Sequence, residues 1–270
     1  MRNRLAIIGC GNMGSAIAEG VIGSGYMAPQ CLYLTRRNTE ALASFKNRGC
    51  NVYADLREAC VAADAVMLAV KPQMLYGIMD EIKDICEDKL VISIAVGITV
   101  ETIQNALGGC PVVRVMPNTP LMVGYGVTAI SVSGNCTDED KSFAAGLFEC
   151  AGKVVFIDES LMNPVAGVTS SSIAFFARFI GAITEWAREN GFGYMDEKEL
   201  LSLVCGAASG TAKLLTEKGM TPAELVRAVA SPKGITEAGL RSFDQSGLEE
   251  SVMRALTASN NRAEEIAKMK

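Results

Sequence analysis

Leu5-Ala6-Ile7-Ile8-Gly9-Cys10-Gly11-Asn12-Met13-Gly14 decides the fold of this chain. Four apolar residues make a short buried strand. Glycines follow at positions 9, 11 and 14, and a helical pattern then runs to about Ser24. Strand, glycine turn and helix in that order form the dinucleotide-binding fingerprint in its required context. The first glycine allows the tight turn, the second lets backbone approach a pyrophosphate, and the third lets helix and strand pack closely. Free N–H groups and the positive end of the helix dipole then face the phosphates. Gly9, Gly11, Asn12, Met13 and Gly14 are therefore expected at the cofactor. The bland alternative is a glycine-rich turn with no ligand.

The choice of nucleotide is read from the second strand, Cys31-Leu32-Tyr33-Leu34, which ends at Thr35-Arg36-Arg37-Asn38. An NAD-selective fold places Asp or Glu about 20 residues past the glycines, on the ribose hydroxyls. No acid stands here. A hydroxyl and two guanidinium groups do, suited to a 2′-phosphate dianion through charge-assisted contacts. Thr35 and Arg36 thus point to NADPH, with NADH use open. Arg36 and Arg37 could also be solvated loop charges.

At 270 residues, the chain holds one large domain or two modest ones. Apolar residues make up 49% and charged residues 20%, a globular balance. The net charge of −5 argues against a basic nucleic-acid surface. No apolar run reaches the roughly 18 residues of a membrane span, and the first strand begins almost at once. A cytoplasmic protein is expected, with neither nucleic acid nor membrane as partner. Nine cysteines are scattered without a CxxC, and there is no histidine. A metal site would need clustered thiolates, so none is expected. The cysteines read as reduced, mostly core residues, and any triad or general base built on histidine is excluded.

The first half alternates strands and helices. Thr39 can cap a helix ending near Gly49. Asn51–Tyr53, Ala65–Val70, Leu90–Ile94, Val112–Met116, Val127–Val132 and Val154–Ile157 read as strands. Asp55, Thr99 and Thr137 read as caps of the helices between them. Repeated strand–helix units imply an α/β, Rossmann-type doubly wound sheet, with ligands at the carboxyl ends of the strands. Ala69, Val70, Lys71, Ala95 and Asn118 follow such ends, so they are expected on one cofactor-binding rim.

From about Ser160 the alternation stops. Met162 to Asn190 is one long helical pattern, rich in Ala, Gly and Ser along its first half. Asp196 opens a second helix, Thr221-Pro222-Ala223-Glu224 a third, Thr236 a fourth, and Leu248 starts a fifth. The domains expected are a dinucleotide-binding unit over 1–159 and an all-α dimerisation and substrate unit over 160–270. So small a helical unit buries too little apolar surface alone, which points to a homodimer, with higher assembly open. Ordinary packing within one subunit is the alternative.

Three further stretches carry chemistry: Ala69-Val70-Lys71-Pro72-Gln73, Val113-Arg114-Val115-Met116-Pro117-Asn118-Thr119-Pro120, and Ser231-Pro232-Lys233-Gly234-Ile235-Thr236-Glu237-Ala238-Gly239-Leu240. With the glycine turn, in this order and spacing, the chain resembles the pyrroline-5-carboxylate reductases along essentially its whole length. The resemblance implies reduction of the cyclic imine 1-pyrroline-5-carboxylate to proline by hydride from NADPH or NADH. It also implies an interleaved helical dimer, a substrate segment over Ser231–Thr236, and Asn118 near the nicotinamide.

The residues fit this chemistry without the family. Hydride transfer to an iminium carbon needs positioning more than an acid–base catalyst. A Ser-Pro-x-Gly-x-Thr loop at a helix start offers N–H groups and two hydroxyls to a small carboxylate. Ser231, Gly234 and Asn118 are expected to bind substrate, and Thr236 to bind the ring nitrogen or supply its proton. The alternatives are a plain helix cap for Thr236, a turn residue for Ser231, a structural loop for Asn118 and a solvated charge for Lys71.

The family's usual Ser-Gly-Ser-Gly-Pro-Ala-Tyr is replaced by Thr169-Ser170-Ser171-Ser172-Ile173-Ala174-Phe175, and its Gly-Gly-Thr-Thr by Lys233-Gly234-Ile235-Thr236. Tyr125 stands where Glu is common. These departures bear on substrate identity, five- or six-membered ring, rather than on reaction type. Two other readings stay open. One is an NADP-dependent reductase of another imine or a β-hydroxy acid, although the catalytic Lys of the latter family is missing between Asn163 and Phe176. The other is a non-catalytic dinucleotide-binding regulator.

Overall fold

The structure is a computed structural model that describes residues 2–268. Its first part is β1 (Leu5–Ile8), α1 (Asn12–Gly23), β2 (Leu32–Thr35), α2 (Ala43–Asn47), β3 (Asn51–Tyr53), α3 (Leu56–Ala62), β4 (Ala65–Leu68), α4 (Pro72–Ile82), β5 (Leu90–Ser93), α5 (Val100–Leu107), β6 (Val112–Met116), β7 (Gly126–Val132), α6 (Asp138–Glu149) and β8 (Gly152–Phe156). The strands form one sheet in the order β3-β2-β1-β4-β5-β6-β7-β8. β1 pairs with β2 and β4 in parallel, so the glycine turn leaves the middle of the parallel part. Among the described residues only β6 and β7 pair antiparallel. Residues 117–125 join them, too short a connection for a parallel crossover, which needs a dozen residues or more. This is the Rossmann-type α/β fold expected, with the last two strands reversed.

β1, β4, β5 and β6 are buried along their whole length, as continuous apolar runs covered on both faces must be. One apolar layer sets Leu5 and Ile7 with Ile17, Val21 and Phe148. The other sets Ala6 and Ile8 with Leu75, Met79 and Ile103. The caps lie largely where the side chains promised. Thr99 accepts from the Thr102 N–H, and Thr137 forms a reciprocal box with Asp140. Thr39 is a correction. Asn38 caps there, and the chain makes a 3₁₀ turn, Thr39–Leu42, before α2.

The second part is helical: α7 (Met162–Ala166), α8 (Ser172–Ala187), α9 (Glu197–Glu217), α10 (Pro222–Val229), α11 (Ile235–Ser246) and α12 (Leu248–Lys268). The long helix expected over 162–190 is interrupted by π-helical turns at Gly167–Ser171 and Arg188–Phe192. By compactness the chain divides into residues up to Ser170 together with those from Ser259 onward, and a second unit, Ser171–Ala258. Within the second unit α8 and α9 pack together, and Phe179 lies 6.2 Å from Phe243 between ring centres. Phe176, Ile183, Trp186 and Leu203 remain exposed. The helical run Glu159–Phe192 is long and apolar enough, by length and composition, to cross a membrane. This corrects the expectation of no membrane-length run: Ser, Thr and Gly interrupt the apolar residues of the stretch.

Candidate active site

The glycine turn, the candidate phosphate cradle, is built at the carboxyl end of β1. Gly9 has φ +81°, and a Cβ there would overlap Val70 Cγ1 and stand 3.1 Å from the Ala69 oxygen. Gly11 differs: a Cβ would meet nothing nearer than the Gly9 oxygen at 3.8 Å, so its open side is free for a ligand. Gly11 also caps α1 with no side-chain cap bond, and the first turn carries no acid. Asn12, Met13 and Gly14 supply that turn, so its N–H groups and dipole remain available to an anion. These features fit a dinucleotide pyrophosphate.

Thr35 takes a different part from the one expected. It is buried, its hydroxyl accepts from the Gly9 N–H at 3.3 Å, and its carbonyl accepts from the Cys10 N–H at 2.7 Å. The side chain read as a 2′-phosphate ligand clamps the glycine turn to β2. Arg36 and Arg37, next along, are both exposed.

Two neighbouring strand ends complete this rim. The Ala69 N–H donates to the Ile8 carbonyl at 2.9 Å, and the Ile94 N–H to the Leu68 carbonyl at 3.2 Å. Gly9, Ala69, Val70 and Ala95 are thereby tied into one edge. Ala95 is buried, with its N–H on the Ser93 hydroxyl at 3.3 Å. Lys71 is exposed and stands at the cap position of α4, whose first residue is Pro72, with no side-chain cap bond.

Asn118 is buried and already bonded. Its Nδ2 donates to the Thr169 carbonyl at 2.8 Å, and its Oδ1 accepts from the Val127 N–H at 2.9 Å. Its visible work is to fasten the loop after β6 to the π-turn that holds the altered Thr169–Ser171. These two bonds give it a structural part in the loop.

Sequence reasoning missed Arg114. It is buried in mid-strand, pairs with Glu159 Oε1 at 3.1 Å and reaches Asn163 Oδ1 at 3.5 Å. Glu159 Oε1 also accepts from the Val100 N–H at 2.7 Å, at the start of α5. A lone Arg inside Val112-Val113-Arg114-Val115-Met116 was the available signal, since a buried charge must be paired. Burial pushes the Cys60 and Cys86 thiols up to about 12 and Cys110 up to about 11. They stay protonated at neutral pH and are core residues, not nucleophiles.

The substrate-loop candidates lie in the second unit. Ser231 and Gly234 close a turn, with the Gly234 N–H donating to the Ser231 carbonyl at 2.9 Å. Pro232 and Lys233 are its central residues, and Lys233 has φ +60°, a left-handed position that favours glycine. Its N–H is held by Glu237 Oε2 at 2.6 Å. A Cβ on Gly234 would overlap the Ser231 hydroxyl and stand 2.9 Å from the Ser231 carbonyl oxygen, which favours glycine there. Gly234, not Thr236, is the cap of α11. Thr236 is its second residue, half-buried, with a hydroxyl not consumed by capping. Ile235 beside it is 94% exposed.

Comparison with known proteins adds the family. A model described as pyrroline-5-carboxylate reductase dimerisation matches residues 159–266, and one described as NADP oxidoreductase coenzyme F420-dependent matches residues 4–97. The pyrroline-5-carboxylate reductase of Escherichia coli is 32% identical over 99% of this chain and 100% of its own length. The solved structure of the Coxiella burnetii enzyme is 31% identical, with TM-score 0.89 over 99% of both chains. The Plasmodium falciparum pyrroline carboxylate reductase, solved with NADP bound, is 25% identical, with TM-score 0.90 over 99% of both chains. Full-length likeness in sequence and in fold agrees with the glycine turn, the Asn118 loop and the Ser231–Thr236 turn: the chain belongs to the pyrroline-5-carboxylate reductase family.

Proposed function

We propose that this chain reduces 1-pyrroline-5-carboxylate to L-proline with NADPH as reductant. The observation that carries the reading is the open side of Gly11 at an uncapped helix start, in a chain whose second unit presents the Ser231–Thr236 turn. The N–H groups of Asn12 and Met13 hold the pyrophosphate. Arg36 and Arg37 hold the 2′-phosphate and give NADPH its advantage over NADH. Ala69, Val70, Lys71 and Ala95 line the rim, and Thr35 and Asn118 hold its loops in shape.

Bound NADPH supplies the hydride that the imine carbon accepts. The protein's part is to orient the imine and keep its nitrogen protonated. The free N–H groups of Ile235 and Thr236 and the Ser231 hydroxyl bind the substrate carboxylate. The Thr236 hydroxyl accepts from the ring N–H, stabilising the protonated imine and leaving that proton on the product amine. This needs no histidine, and the chain has none.

The chain homo-oligomerises through its dimerisation domain. We assign the exposed apolar face of α8 to a second copy rather than to lipid, in a cytoplasmic protein that binds neither membrane nor nucleic acid. The test is NADPH oxidation with 1-pyrroline-5-carboxylate by wild type and Thr236→Ala. Loss of one hydrogen bond to a charged partner, about 1.5–3 kcal/mol, should lower kcat/KM roughly 10- to 100-fold with NADPH affinity unchanged. Equal turnover by the variant would remove Thr236 from the mechanism.

A further inference from the structure

The last turn of α12 returns to the first unit and meets the loop after β5. A Cβ built on Gly97 would stand 2.9 Å from the Ala267 nitrogen, 3.1 Å from Ala267 Cα and 3.2 Å from Ile266 Cγ2. Two constraints therefore coincide at Gly97: a φ of +81° and a helix laid directly on its backbone. Ala263, one turn earlier on α12, is buried, as are Gly97 and Ile98. The same loop begins at Ala95, on the rim next to Ala69 and Gly9. Its far end is fixed by the Val100 N–H on Glu159.

We propose that the C-terminal turn of α12, through Ile266 and Ala267, is a positioning element for the nucleotide site. It closes one side of the loop 95–97 and so fixes the shape that loop presents at the cofactor rim. The inference rests on the nucleotide-site reading above. Ile266 and Ala267 touch no reacting atom in this account and act only through the loop. Loosening their contact lets the loop sample shapes that bind NADPH less well, and the affinity falls by the fraction of competent shape lost.

The test uses the full chain and direct NADPH titration by fluorescence, with steady-state kinetics, melting temperature and dimer mass alongside. Ile266→Ala removes the methyl group that abuts Gly97, and Ile266→Val keeps it. For Ile266→Ala the dissociation constant and the KM for NADPH should each rise at least fivefold. The kcat at saturating NADPH and the KM for the imine should move less than twofold, and Ile266→Val should restore wild-type values. A merely structural role would lower the melting temperature without that split. An NADPH affinity within twofold of wild type in a folded Ile266→Ala dimer overturns the proposal. Should that variant not fold, trimming the contact by Ile266→Leu decides: weaker NADPH binding supports it, unchanged binding overturns it. Wild type failing to bind NADPH would instead sink the nucleotide-site reading, and this inference with it.

Discussion

Gly9 and Gly11 are two residues apart and have opposite reasons to be glycine, so alanine at each should fail in a different way. At Gly9 the fault lies in the protein itself. A left-handed φ costs an L-residue about 1–2 kcal/mol, and overlap with the stiff Val70 side chain adds about 1–3 kcal/mol. Gly9→Ala should therefore destabilise the unliganded chain by about 2–5 kcal/mol. At about 2–4 °C per kcal/mol, that lowers the melting temperature by roughly 4–20 °C. At Gly11 the nearest atom to a new Cβ is 3.8 Å away and φ is −89°, so alanine fits without ligand. Its methyl group then stands where the pyrophosphate should approach. Gly11→Ala should melt within about 1 °C of wild type, while NADPH binding weakens at least tenfold, about 1.4 kcal/mol. Differential scanning fluorimetry without ligand and an NADPH titration read both. Unchanged NADPH affinity in Gly11→Ala, or an unchanged unliganded melting temperature in Gly9→Ala, would refute the reasoning.

Other expectations follow from single contacts. Arg36→Ser with Arg37→Ser should weaken NADPH at least tenfold and leave NADH within about twofold, since only the 2′-phosphate loses its charge-assisted bonds. Paired dissociation constants decide this. Asp64 accepts from Arg4 Nη2 at 2.6 Å and from the Asn3 and Arg4 N–H groups, and the Arg4 guanidinium holds its carboxyl below the usual range. A depressed carboxyl stabilises above its unfolded value, and that contribution is lost as pH falls through the folded one. Asp64→Asn should cost about 1 kcal/mol at pH 7, discounted for exposure, with the difference shrinking in urea titrations as pH falls below the usual carboxylate range. Lys233→Gly should raise stability by about 1 kcal/mol by relieving the positive φ, and a lower urea midpoint would contradict that.

What the sequence carried and what it hid follow a physical division. Strands β3 and β6, and the caps Thr99, Thr137 and Thr221, are set by neighbours a few residues away and were legible. The reversal of β7 was legible in principle, from the short link between Met116 and Gly126. Features that depend on distant partners were not. The bond of the Thr35 hydroxyl with the Gly9 N–H, and the span of the Asn118 amide from Thr169 to Val127, leave no trace in local spacing. Arg114 gains its meaning from Glu159, 45 residues on. The contact of Ala267 with Gly97 has no local signature at all, since alanine near a chain end reads as surface. Thr236 shows the reverse case. Two residues of register separate the cap, Gly234, from the Thr236 hydroxyl, and helix boundaries are the part of a pattern that local spacing fixes least.

The most direct test of the central claim is NADPH consumption in the presence of 1-pyrroline-5-carboxylate, run beside the six-membered cyclic imine, with the product identified. One L-proline should form per NADPH oxidised, with a higher kcat/KM for the five-membered ring. Bound NADPH that is not consumed with either imine, or clear preference for the six-membered ring, would contradict it.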